Sequence, residues 1–211
     1  MRYRILFFFF SLVFIFQHGR AQHIDIDKKA LAFLASEEKV NILFTYDGLL
    51  IDDAIPEADF LSKMNKKITK FANEEEAINW AAAYTAHKND IWPATFTSVL
   101  NEKLATYKNP PIFEENSREA TYTMKVHSNW MYYGYDAGIV DQPAKVTTVL
   151  TFYTSENPET IIFSTEISRA MGQYNKEDGD GEGKGPSLNR MRKAYTKSAY
   201  KLAQALKRVV D

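Results

Sequence analysis

Within six positions this chain places Trp130, Tyr132, Tyr133 and Tyr135, its densest run of side chains that could recognise a ligand. They stand where an alternating segment meets Gly134 and Gly138. Aromatic side chains beside a turn can stack on sugar faces or anchor a protein interface, and the ordinary alternative is packing over a strand end. A second constellation is Asp178, Asp180 and Glu182, spaced by glycines and followed by Gly183. Oxygen ligands at relative positions one, three and five with glycine at six match the first half of a calcium loop. Its twelfth position is Asn189 rather than a bidentate Glu, and no helical pattern leads into it, so the spacing reads first as a solvated loop and second as a calcium site. Beyond the first 21 residues the histidines are His23, His87 and His127, far apart, and there is no G-x-S-x-G, H-E-x-x-H or Walker-type motif. Asp52 with Asp53, and Glu74 to Glu76, fall at a turn and a helix start, where acids are expected without chemistry. No catalytic residue is assigned.

The amino-terminal residues bear on where such a site would work. Arg2 and Arg4 precede an apolar run over 5–16 broken only by Ser11, and Gly19, Arg20 and Ala21 follow. A basic start, an apolar stretch well short of the ~20 residues a span needs, and small residues two apart predict a secretory signal peptide over 1–21. Its removal takes three of the 26 basic residues and none of the 27 acidic ones, moving the formal charge from −1 to −4. Mild acidity argues against general nucleic-acid binding, which draws its affinity from phosphate neutralisation. The chain has no cysteine. Disulfides, zinc-thiolate sites, thiol catalysis and a lipid-modified cysteine are therefore excluded. Residues 22–211 suit one exported domain with no transmembrane segment, periplasmic before extracellular.

Three strand-like segments over 121–170 form the centre around which the remaining elements are arranged. Tyr122, Met124, Val126 and Trp130 alternate with polar residues, which predicts one apolar face. Residues 146–154 carry apolar or β-branched residues in both alternating sets, as a central strand does. After turn material at 155–159, Ile161, Phe163, Thr165 and Ile167 predict a third, half-buried strand. Earlier, Val40, Ile42, Phe44 and Tyr46 predict a first strand ending at Asp47-Gly48, with a short strand at 49–51. Helices are predicted from Pro56 (Phe60, Leu61, Met64, Ile68, Phe71 inward) and from Asn73 (Ile78, Ala81, Ala82, Thr85 inward). Asn73 with Glu76 resembles a capping box, Trp92-Pro93 breaks that helix and starts another, and Asn109, Pro110 and Pro111 stop it. The glycine-rich stretch 172–186 predicts a flexible loop, and Ser187 caps a final helix that is strongly basic on one side. A charge run opposite an apolar stripe is usually a solvated face, with contact to anionic lipid or envelope polymer as the other reading. The expected fold is an α/β (α+β) two-layer sandwich. A four-stranded mixed sheet contains an antiparallel three-stranded meander, has helices mainly on one face, and receives the first strand through the helical crossover.

Leu31, Phe33 and Leu34 leading to Lys39, Val40, Asn41 and Ile42, the helix with Trp80, and Pro93, Phe96, Leu100 and Asn101 also carry a family likeness. With Gly138, Pro143, Ala144, Lys145, Arg190, Ala194 and Tyr195, they resemble an uncharacterised family of signal-peptide-bearing bacterial envelope proteins of Bacteroidota type. The resemblance covers most of residues 22–211 and implies no catalytic residue. Element order is more distantly similar to amino-terminal domains of Tol-type translocation proteins and to curli-secretion lipoproteins, which implies envelope assembly work. Without a cysteine to carry a lipid, membrane attachment would need a partner. The leading expectation is a non-enzymatic exported binding or assembly module of the envelope, with an envelope protein or polymer as partner and no cofactor; the alternative is a small exported hydrolase of envelope polymer.

Overall fold

The computed structural model describes residues 24–137, 140–173, 175 and 185–211. The expected leader at 1–21 and the calcium candidates Asp178, Asp180 and Glu182 lie outside them. The described residues form an α+β fold in which helices pack against a mixed sheet, the two-layer class expected, but the sheet has seven strands rather than four. Its centre is the meander β5 (Tyr122–Tyr132), β8 (Lys145–Thr154) and β9 (Asn157–Met171), antiparallel throughout. The free edge of β5 takes two parallel partners, β1 (Lys39–Thr45) over 123–127 and β2 (Leu50–Ile51) over 130–131. Outside these lie β4 (Ile112–Glu115), parallel to β1, and β3 (Ile55–Pro56), antiparallel to β2. A separate two-stranded ribbon pairs β6 (Tyr135–Asp136) with β7 (Asp141–Gln142).

Four α-helices pack against the sheet among the described residues. Helix α1 (Glu57–Phe71) starts after Pro56, whose fixed φ and missing N–H suit a helix entrance, with Glu57 and Asp59 in the electropositive first turn. Helix α2 (Glu74–Ala86) starts where the Asn73 side chain accepts from the Glu76 amide at 2.8 Å. Its inward residues are Ala77, Trp80 and Tyr84, one step off the expected face, and Ile78 is exposed, as is Phe71 at the end of α1. Trp92-Pro93 does not break the chain of helix. A π-turn at His87–Ile91 carries α2 directly into α3 (Trp92–Leu104), the Trp92 amide reaching back to the His87 carbonyl. The wider turn lies over the residues whose carbonyls a proline ring would otherwise strike.

Helix α4 (Leu188–Val210) is capped by Ser187 and lies on β8 and β9. Ala194, Ser198, Ala199 and Ala203 are small enough for close approach, and Met191, Tyr195, Leu202 and Leu206 fill the space on either side. Two buried hydroxyl pairs fix the register, Ser128 with Tyr195 at 2.7 Å and Thr148 with Ser198 at 3.1 Å. Among the described residues no helix is long and apolar enough to cross a membrane.

Two β-bulges decide which side chains face away from the helices. Between Ser128 and Trp130 the β5–β8 register slips by one residue. Met124, Val126 and Ser128 point into the core before the slip, and Met131 and Tyr133 after it. Trp130, expected on the apolar face with Met124 and Val126, therefore leaves on the opposite face with Lys125 and His127. The second bulge sets Ser168 and Arg169 against Thr147 alone. Further slips toward the start of β9 put Ile161 opposite Tyr153 on the same outer face, where Ile161 is exposed rather than half-buried.

Candidate functional site

Both bulges meet at Thr147, and the residues they redirect line one open cleft of about 420 Å³. Its floor is Trp130 and Tyr132, two residues apart on β5 beyond the slip, with ring planes within 6° and centroids 6.3 Å apart. One wall is basic. Arg169, in the left-handed conformation at φ +45°, sets its guanidinium 5.1 Å from the Trp130 ring centre, and the Lys145 ammonium lies 5.3 Å from that of Tyr132. The Arg169 amide, displaced from the ladder by the bulge, donates instead to the Thr147 hydroxyl at 3.0 Å.

The opposite wall is acidic and comes from the three-residue turn between β2 and β3. Asp52 at φ +53° and Ala54 at φ +67° flank Asp53, so the turn holds two non-glycine residues in a conformation that L-residues disfavour. The turn is tied to β5 twice, by the Asp52 amide to the Met131 carbonyl at 2.8 Å and by the Trp130 indole N–H to the Asp52 carbonyl at 2.8 Å. Three of the four left-handed non-glycine residues described thus line this cleft, and such strain persists only where surrounding structure over-determines it. Burial pushes the Asp52 carboxyl above its ordinary range; the Tyr133 amide draws it partly back, and Asp53 pushes it up again. Opposite charges face one another across the floor, yet no ion pair within 4.0 Å joins Asp52 or Asp53 to Lys145 or Arg169.

Beneath the acidic turn, a polar clamp holds the chain as it leaves β3. The Glu57 amide donates to the Leu49 carbonyl at 3.1 Å. Its carboxylate accepts from Lys88 Nζ at 2.6 and 2.7 Å and from the Tyr84 hydroxyl at 2.6 Å. Lys88 lies in the π-turn, where its carbonyl accepts from Tyr46 OH at 2.7 Å and its ammonium lies 4.9 Å from the Tyr46 ring centre.

The four aromatic residues singled out by sequence divide. Trp130 and Tyr132 line the cleft, Tyr133 is buried beneath it and stacked on Phe60 at 5.4 Å, and Tyr135 is exposed on the β6–β7 ribbon, outside the cleft lining. Neither charged wall forms a local motif in the sequence. Asp52 and Asp53 were placed at a turn as expected, but nothing local joins them to Lys145 and Arg169. The available signal was the apolar pair Met131 and Tyr133, whose parity disagrees with Met124 and Val126. His87 bonds the Ala83 carbonyl and His127 shares a bond with Thr45, and among the described residues no group of three or more His, Asp or Glu side chains could hold a metal ion. The basic side of α4 contributes Lys201, Lys207 and Arg208 to a separate groove of about 500 Å³, where Arg208 donates to the Ile26 carbonyl and Asp211 adds an acid.

Set beside known proteins, the chain matches no family model, no curated protein and no solved structure.

Proposed function

We propose that this protein is a non-enzymatic binding or assembly module, exported to the bacterial envelope, that takes its ligand in the cleft floored by Trp130 and Tyr132. The observation that carries this reading is a set of opposite charges held apart around an aromatic floor, in a place built by two bulges and three strained residues. Bulges and left-handed non-glycine residues concentrate where a fold serves a site rather than its own stability. A shallow, open cleft of this size suits recognition of an exposed group on a partner or polymer.

A second reading, a small exported hydrolase of envelope polymer, draws on Asp52, whose carboxyl is pushed up beside Asp53. Acid and base in glycoside cleavage stand on opposite sides of the bond, roughly 5–9.5 Å apart. Asp52 and Asp53 are neighbours on one wall and face cations, which favours binding. Affinity capture from solubilised envelope, using tagged residues 22–211 beside Trp130→Ala and Arg169→Gln variants with unchanged circular dichroism, tests the proposal. A defined partner or polymer lost from both variants supports it. Capture insensitive to both, or turnover of envelope polymer that Asp52→Asn abolishes, overturns it.

A further inference from the structure

The charges of the cleft also select the chemistry of what enters it, an inference that rests on the binding reading above. We propose that the ligand is a short zwitterion with a free ammonium and a free carboxylate, as in an amino acid or a small peptide. Its ammonium faces Asp52 and Asp53, its carboxylate faces Lys145 and Arg169, and the portion between lies over Trp130 and Tyr132.

Three features lead there. No carboxylate or carbonyl among the described residues accepts from the guanidinium of Arg169 or the ammonium of Lys145, and Asp53 receives no hydrogen bond. The two cations lie against the aromatic floor, and among the described residues neither has a carboxylate partner within 4.0 Å. Second, the tie between the Trp130 indole and the Asp52 carbonyl fixes the acidic turn, and the bulge fixes Arg169. The backbones that carry the two walls are therefore fixed in place, and a ligand bridging the walls meets a partly preorganised pair. Third, the alternatives each leave a defect. A purely anionic ligand places its charge beside two acids, a purely cationic one beside two bases, and a neutral one displaces water from four charges without replacing its hydrogen bonds. A carboxylate can in addition take two parallel N–H donors from one guanidinium.

Calorimetric titration of residues 22–211 with four probes tests this: dialanine, N-acetyl-dialanine, dialanine amide and phosphoethanolamine. Dialanine is expected to bind, and blocking either end should weaken binding by about tenfold or more. Asp53→Asn should remove the discrimination against the acetylated peptide and keep that against the amide, and Arg169→Gln should do the reverse. Phosphoethanolamine, which has a phosphate and no carboxylate, binding more tightly than dialanine with the same dependence on both variants would overturn the amino acid or peptide assignment in favour of a lipid head group. Blocked and free peptides binding equally, discrimination unchanged in both variants, or no binding of any probe by folded protein would overturn the zwitterion. If envelope capture still depends on Trp130 in that case, only the ligand class falls; if capture is also indifferent to Trp130, the site itself falls.

Discussion

Replacing Lys88 by Met is the perturbation that most directly asks whether the clamp beneath the acidic turn supports the fold. Lys88 Nζ contacts both Glu57 oxygens, and the two side chains are only 20% and 21% exposed. A hydrogen bond to a charged group contributes about 1.5–3 kcal/mol, and the lost contact with the Tyr46 ring adds about 0.5–1 kcal/mol. Glu57 keeps the Tyr84 hydroxyl and its place in the first turn of α1, and Met retains the apolar stem, so the net loss should be about 2–3 kcal/mol. For a chain of this length that lowers Tm by about 5–10 °C. Urea unfolding and thermal melting of the single variant, of Glu57→Gln and of the double variant give the test. The double variant should be less destabilised than the sum of the singles, with a coupling of about 1–3 kcal/mol. A Lys88→Met loss below about 0.5 kcal/mol, or strict additivity, would show that the clamp does not support the turn.

Three further outcomes follow from the same geometry. Tyr46, Tyr84, Tyr133 and Tyr195 have hydroxyls held above their ordinary value, burial being the largest cause in each. Because these folded values lie above the unfolded one, their stabilisation is intact below about pH 10 and is lost as pH rises through the folded range. Ultraviolet titration should therefore show these phenols ionising together with alkaline unfolding, and free titration in a folded protein would contradict their burial. Ala54→Gly should stabilise the chain by about 0.5–1 kcal/mol in urea unfolding, since relief of left-handed strain exceeds the added freedom of the unfolded chain; a loss of stability would show the strain is not there. Gly134→Ala should destabilise by about 2 kcal/mol or more on the same assay, because φ is +66° and a Cβ would overlap the Gln142 carbonyl; a neutral result would refute that close approach.

The meander and the final helix were legible because each rests on long periodic runs. The helical crossover that brings β1 parallel to β5 followed from chain order. Register was less accessible, since one inserted residue near Asn129 reverses the face of everything after it, and alternation alone cannot distinguish a bulge from an imperfect strand. Trp130 leaves the expected face for that reason, and a separate slip between Phe152 and Tyr153 in the β8–β9 pairing does the same to Ile161. Strands of two to four residues, β3 and β4, are held by pairing with β2 and β1 rather than by their own pattern. Pro93 looked like a stop because the usual helical ladder cannot accept it, whereas a π-turn can. The cleft was half legible: its aromatic floor lies in one short stretch, while Asp52, Lys145 and Arg169 converge only through sheet topology.

Two-dimensional nitrogen–proton NMR of the tryptophan indoles tests the central claim most directly. Each of the three indole N–H groups donates to a different carbonyl: Trp130 to Asp52, Trp80 to Pro186 and Trp92 to Leu188. On titration with dialanine, and separately with soluble envelope extract, the Trp130 resonance should move while those of Trp80 and Trp92 stay in place. Movement of Trp80 or Trp92 with Trp130 unchanged, or a still spectrum while native mass spectrometry shows ligand bound, would contradict a binding site at this cleft.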